Sequence, residues 1–424
     1  TMTSQDQQSQ RANSVRNQAI NAEPVSSQEI ELKFTLPVTA LRELAKTGLQ
    51  WPGSTPPVHK PLMTRYYDTP SHVFWRHDIA LRIRRKGDQW LQHLKWRGVA
   101  KGKSGVPTLA GGSSRTEWEW PLHDDQPDPT LIEQALGDAV TLPKNWGQKL
   151  TVLFETDLTR AVQTVNTTDG SVVEIAYDFG VLRSGTTEQI LAEVELELEA
   201  GNARSLYEVA TCLVSQSGAR LAGGSKAEQG YRLAFKKPPQ AVKSTAGPLH
   251  RDDTGLRALQ AQAGQSLQDL LANQALVLAD SGPEGVHQMR VALRRLDAIV
   301  RPLQAALTSD AAHTLLDELR WLRHELGHIR NWDVFLTETL PGFKEPANGK
   351  LLRPAAEAMR DDAQKAVIHA LSDPRYADLL LKLAQLADGA SPYDQWPQPS
   401  HTILSRPFRG LAARWFIETM TAMQ

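Results

Sequence analysis

The stretch Gln28-Glu29-Ile30-Glu31-Leu32-Lys33-Phe34 alternates charged or polar with apolar side chains, residue by residue. That period of two belongs to a β-strand, with Glu29, Glu31 and Lys33 on one face and Ile30, Leu32 and Phe34 on the other. Two carboxylates on one strand face stand about 6.6 Å apart and repel by roughly 2.5 kcal/mol at an effective dielectric near 20, so they call for a cation. One isolated strand of this kind is equally compatible with the solvated face of an antiparallel sheet. What decides is whether other segments repeat the device.

They do. In Ile79 to Lys86, Leu81 and Ile83 alternate with Arg82 and Arg84; in Trp90 to Arg97, Lys95 and Arg97 oppose Leu94 and Trp96. Arg115, Glu117 and Glu119 share a face of the segment ending at Trp120, and Glu193, Glu195, Glu197 and Glu199 alternate with Val194, Leu196 and Leu198. Met63 to Thr69, Thr151 to Val165 (with Glu155 and Arg160) and Ser171 to Leu182 (with Glu174 and Asp178) complete eight strand-like segments. Short helices are expected at Pro37 to Thr47, Pro129 to Leu142 and Ala203 to Ser217, and a Pro- and Gly-rich loop up to Pro61. A solvated face ordinarily mixes signs along a strand, whereas here acids and bases segregate. The expected fold of this half is a closed, eight-stranded antiparallel β-barrel with a charged interior. Acids and bases lining one concavity fit a polyanion together with a divalent cation, since hard carboxylate oxygens hold Mg2+ or Mn2+ while Arg and Lys take phosphate oxygens.

The near balance of 47 Lys and Arg against 48 Asp and Glu gives no overall bias toward nucleic acid. The single cysteine, Cys212, excludes an internal disulfide and reads as a small buried apolar residue in a reducing compartment. Residues 1–27, rich in Gln, Asn and Ser, are expected to be disordered and not to be a signal peptide. No apolar run approaches the roughly 18 residues of a membrane span, so a cytoplasmic location without a membrane partner is the expectation.

Taken in order, Glu29-x-Glu31-x-Lys33, Tyr67-Asp68-Thr69-Pro70, Leu81-Arg82-Ile83-Arg84, Lys95, Arg115-x-Glu117-x-Glu119, Glu193-x-Glu195 and Ser225-Lys226 resemble the CYTH family, the triphosphate tunnel metalloenzymes, over residues 28–235. The resemblance implies an eight-stranded tunnel that takes a triphosphate end-on. Lys33, Arg82, Arg84, Lys95, Arg115, Arg160 and Lys226 would grip phosphate oxygens. Glu29, Glu31, Glu193 and Glu195 would hold the metal, with Glu117, Glu119, Glu174 and Asp178 as further contributors. Lys33, Glu31 and Glu195 would be catalytic, the attacking water being held by a metal and a carboxylate or by Lys33 as base. Tyr67-Asp68-Thr69-Pro70 reads as a structural turn.

Residues 236–250, rich in Pro, Lys and Ala, read as a linker, after which the apolar period changes to that of helices from 251 to 424. The expected class is therefore α+β, a barrel followed by an all-α helical bundle. His287, Arg290 and Arg294 fall on one helix face, where an unpaired basic stripe invites an anion. This stretch, with Leu326-Gly327-His328-Ile329-Arg330-Asn331-Trp332-Asp333-Val334, resembles the CHAD domain, a helical module associated with inorganic polyphosphate; position 331 departs from its usual Arg-Asp-x-Asp. A second His-x-x-Arg copy is not found by Gln424, so the helical domain is expected to be incomplete. The expected function is metal-dependent hydrolysis of inorganic tripolyphosphate to pyrophosphate and phosphate, with polyphosphate bound by the helical domain. The alternatives are a non-catalytic polyphosphate receptor, or a tunnel enzyme for an organic triphosphate (adenylate cyclase or thiamine triphosphatase).

Overall fold

The computed structural model describes residues 30–96, 116–342, 346–390 and 398–422. Segment 1–27, the loop from Gly98 to Ser114, Glu29, Arg97 and Arg115 lie outside the described residues.

The first half contains strands β1 (Glu31–Thr35), β2 (Val58–Asp68), β3 (Ile79–Lys86), β4 (Gln89–Trp96), β5 (Thr116–Leu122), β6 (Thr151–Asn166), β7 (Val172–Ser184), β8 (Thr187–Ala200) and β9 (Arg220–Leu221). All pair antiparallel, in the order β5-β4-β3-β2-β6-β7-β8-β1-β9. The α+β expectation holds, an antiparallel sheet followed by helices, but two details differ. There are nine strands among the described residues rather than eight, because the two-residue β9 is too short to leave a period. The ladder is also not closed by hydrogen bonds, since β5 and β9 remain its edges. β2 begins five residues before the expected Met63, running through Pro61. Proline is tolerated there because residues 58–63 pair with β6 alone, β3 joining only at Thr64, so the missing N–H faces no partner.

The sheet is covered on its outer face. Helices α1 (Val38–Thr47) and α4 (Ala203–Ser217) seal Leu32, Phe34, Val194 and Leu196, all fully buried, while α3 (Pro129–Leu136) covers Leu81, Ile83, Leu94, Trp118 and Trp120. The Asp68-Thr69-Pro70 turn is structural: the Asp68 carboxylate accepts the backbone N–H groups of Thr69, Phe74 and Trp75 and the Tyr231 hydroxyl, fixing the short helix α2 (Val73–Arg76).

Helices α5 (Lys226–Phe235), α6 (Gly255–Leu278), α7 (Glu284–Leu303), α8 (Asp310–Val334), α9 (Pro346–Ser372), α10 (Pro374–Ala387), α11 (Gln398–Leu404) and α12 (Phe408–Ala422) follow. α4 lies against α10 in one continuous apolar core, and the Tyr207 hydroxyl donates to the Asp388 carboxylate. The 236–250 segment is no free tether. Val242 exchanges two hydrogen bonds with the Asn273 amide, Ser244 and Thr245 donate to Asp269, and Gly247 N donates to Gln262 Oε1 at 3.0 Å. Gly247 is required there, since a Cβ would lie 2.6 Å from the Ala261 carbonyl oxygen. Cys212 is half-buried rather than buried. Among the described residues, no helix is long and apolar enough to cross a membrane.

Candidate active site

Because residues directly opposite on paired strands share a face, the register places the charged rows together. Lys33 opposes Glu195, Asp178 opposes both Glu193 and Arg160, and Glu197 stands between Glu31 and Glu174. The Lys33 ammonium lies 3.2 Å from Glu31 Oε1 and 3.1 Å from Glu195 Oε1. Arg160 grips Asp178 with two bonds, 2.7 and 2.5 Å, and reaches Glu195 Oε2 at 2.8 Å. Lys226 touches three carboxylates, Asp178, Glu193 and Glu195, at 2.9, 2.9 and 2.7 Å, and Gln229 donates to Glu193.

Lys226 enters from a helix, not a strand. Ser225 caps α5 and Glu228 returns the bond to the Ser225 N–H, which orients the first turn into the concave face. Tyr231 then packs on Phe154, which stacks on Tyr66.

Burial works against every charge in this cluster, and the partners outweigh it. Burial alone would lower the Lys33 pKa, yet Glu195 and Glu31 raise it well above the ordinary lysine value; Lys226 is raised likewise, chiefly by Glu195 and Asp178. Burial would raise Glu195 and Asp178, but Lys226, with Lys33 and Arg160 at Glu195 and Arg160 at Asp178, holds both below the usual carboxylate range. Lys33 is therefore held as a charge-bearing ammonium by Glu195 and Glu31 in this arrangement.

The opposite wall is built differently. Arg82 opposes Tyr66 and His93, His93 opposes Glu119, and Lys95 opposes Glu117. Lys95 reaches Glu117 at 2.6 Å, Arg84 reaches Glu119 at 3.4 Å, and His93 Nδ1 lies 3.3 Å from the same carboxylate. Here the cations exceed their counterions. Arg84 is pushed down to about 10 by burial and by Arg82 beside it, and Lys95 is lowered by burial and Arg82 against the pull of Glu117 and Glu31. His93 is driven far below the ordinary histidine value by burial and by Arg82, Arg84 and Lys95, so it is neutral. The Nε atoms of Arg82 and Arg84 and the Nε2 of His93 are buried without a hydrogen-bond partner, a condition that buried donors and acceptors rarely tolerate.

The two walls face each other. Glu31 acts electrostatically on Lys95, Glu195 on Arg82, and Arg160 on Arg84. β1 and β4 stand six places apart in the sheet order, roughly 29 Å if the sheet were flat at ~4.8 Å per strand. Such a span would extinguish the interaction of Glu31 with Lys95, so the sheet is curled with its charged face inward.

Of the residues expected from sequence, Lys33, Glu31, Glu193, Glu195, Arg160 and Lys226 are gathered at one wall and Arg82, Arg84 and Lys95 at the other. Glu29 and Arg115 lie outside the described residues. Lys226, expected to meet phosphate, is engaged by carboxylates. Glu193 meets Lys226, which it shares with Glu195, and Gln229. Among the described residues no three acidic, histidine or cysteine side chains form a metal-binding cluster. The donors are nonetheless hard oxygens, and Glu31 and Glu195 already share one cation, the Lys33 ammonium, which is chemistry that suits Mg2+ or Mn2+. His93 and Tyr66 were not anticipated; His93 falls two residues from Lys95, a spacing that could have revealed it.

In the helical half, burial and the charges of Arg294 on α7 and of Arg330 and Arg323 on α8 lower the Arg290 pKa. Arg290 donates to the Arg323 carbonyl at 3.2 Å, and His287 shares the helix face. Asp333 is buried and structural, bonded to Arg360, which also clasps Asp280.

Residues 27–231 match the CYTH domain family, and residues 261–418 match the CHAD domain family. An inorganic triphosphatase of Haemophilus influenzae is 29% identical over 217 residues, 51% of this chain and 57% of that protein. An uncharacterised protein of Mycobacterium tuberculosis is 26% identical over 290 residues, 63% of this chain and 51% of that one. The chain thus spans about half the length of the curated relatives it matches. Among solved structures, the CHAD domain of the plant Ricinus communis is 30% identical, covering 38% of this chain and 55% of that one, with a TM-score of 0.31. A putative adenylyl cyclase of Hippeastrum, described as having a dominant triphosphatase activity, is 18% identical, covering 48% and 95%, with a TM-score of 0.34.

Proposed function

We propose that this chain, a CYTH domain over residues 27–231 followed by a CHAD domain over residues 261–418, hydrolyses inorganic triphosphate to pyrophosphate and phosphate with the help of Mg2+ or Mn2+. The helical domain, in this reading, binds polyphosphate through Arg290, Arg294, Arg323 and Arg330. The observation that carries the reading is the pair of buried Arg82 and Arg84 Nε atoms that lack a hydrogen-bond partner, on the wall opposite the carboxylates of one concavity. A polyanion supplies the missing acceptors on one side. A divalent cation between polyanion and carboxylates removes the repulsion on the other.

Arg82, Arg84 and Lys95 bind the phosphate oxygens and withdraw charge from the bond that breaks. Lys33 contributes a fixed positive charge. Glu31 and Glu195 would hold the cation, which supplies charge neutralisation and a positioned water; Asp178 and Arg160 orient Glu195. A pure anion receptor gains nothing from carboxylates in its concavity, which argues against the non-catalytic alternative. The H. influenzae relative's name favours inorganic triphosphate.

Phosphate release from tripolyphosphate is expected with Mg2+ or Mn2+ and is expected to vanish with a chelator. No release in either condition would leave the receptor reading. A competition series with ATP and thiamine triphosphate ranks the substrates, and preference for either organic triphosphate would replace tripolyphosphate.

A further inference from the structure

The α8 helix carries a second constellation that neither concavity nor arginine cluster uses. His324 and His328 are one helical turn apart, both exposed, with their rings edge to face at 4.3 Å and 86°. Their Nε2 atoms lie within hydrogen-bond distance of each other, at 3.1 Å. We infer that this pair is a binding site for a borderline divalent transition ion, Cu2+, Ni2+ or Zn2+.

The argument is geometric. With metal–nitrogen bonds of about 2.0–2.1 Å, two nitrogens this far apart subtend an angle of about 100° at the metal, between the right angle of square or octahedral sites and the tetrahedral angle. The spacing therefore suits ligation of one ion through both Nε2 atoms in place of the hydrogen bond between them. The alternative occupant of this geometry is one proton, shared between the two nitrogens, and an ion displaces it with little change in the side chains. The Glu325 carboxylate lies 3.7 Å from His324 Nδ1, a nearby negative charge that favours a cation at this pair.

The platform is rigid. Leu322, Leu326 and Ile329 anchor this part of the helix in the core. The cationic neighbour Arg323 is partly neutralised by Asp297 at 3.2 Å. Among the described residues no third acidic, histidine or cysteine side chain joins the pair into a larger cluster, so the ion keeps open, water-filled positions and exchanges freely. Selectivity follows from ligand type: two imidazoles favour Cu2+, Ni2+ and Zn2+, whereas the all-oxygen donors of the charged concavity favour Mg2+ or Mn2+. The two sites are thereby addressable separately, and this inference does not rest on the proposed hydrolysis.

The test is electron paramagnetic resonance of the full chain with one equivalent of Cu2+ in excess Mg2+, which competes for oxygen ligands. Hyperfine splitting from two equivalent nitrogens is expected. His324→Ala and His328→Ala should each abolish that two-nitrogen pattern, with far-UV circular dichroism unchanged. A spectrum showing oxygen ligands alone, or the wild-type nitrogen pattern persisting in both variants, overturns the inference.

Discussion

Glu195→Gln is expected to lower triphosphate turnover about 100-fold and to destabilise the fold by roughly 3–5 kcal/mol. Glu195 is the acceptor shared by Lys33, Arg160 and Lys226, at 3.1, 2.8 and 2.7 Å. Glutamine is nearly isosteric but offers one neutral oxygen, so three cations in a low-dielectric concavity lose their common counterion. Removing one partner of a buried network costs far more than the network contributes over an apolar replacement. The pH dependence gives an independent reading. Glu195 and Asp178 have folded-state values below the ordinary carboxylate range, so the stability they contribute is present above their unfolded values near 4 and is lost as pH falls through the folded ones. The wild-type chain should therefore lose stability steeply below about pH 4, and the Gln variant should show a shallower acid slope. Denaturant midpoints across pH, with phosphate release at neutral pH, measure both. Unchanged turnover with unchanged metal dependence would remove Glu195 from the site.

What the sequence could reveal here was local alternation. Leu32 and Phe34 are fully buried with Glu31 and Lys33 on the other face, and Leu81 and Ile83 are buried opposite Arg82 and Arg84, because a period of two survives in any strand with one dry face. Convergence was less legible. That Arg160, on a strand far along the chain, meets Asp178 and Glu195 depends on register, which no short window encodes. Lys226 was read with the other bases, yet it arrives on a capped helix and is surrounded by acids. Gly327 lies inside α8, which runs through it to Val334. A Cβ at Gly327 would lie 2.9 Å from the Arg290 guanidinium, so glycine is there to admit a neighbour, not to end a helix.

The same kind of close approach governs the site itself. Gly230→Ala should destabilise the chain by about 1–3 kcal/mol, as overpacking does, and lower turnover more than a peripheral core change would. A Cβ at Gly230 would sit 2.0 Å from Phe154 Cε2, far inside contact distance. Phe154 has little room to yield, since it stacks on Tyr66 at 4.5 Å and takes the edge of Tyr231 at 5.3 Å. The helix must then move outward. Lys226 lies one turn earlier on the same rigid element, with its ammonium held by three carboxylates at 2.7–2.9 Å, so a displacement near 1 Å separates it from them and leaves Glu193, Glu195 and Asp178 mutually repelling. Misplacement of that size in a charged site costs about 100-fold in rate. Phe154→Leu added to Gly230→Ala should restore part of both quantities, a non-additive coupling of about 0.5–3 kcal/mol between touching residues. If Gly230→Ala alone keeps wild-type stability and turnover, the helix is not what holds the acidic wall together, and Lys226 is a bystander to the chemistry.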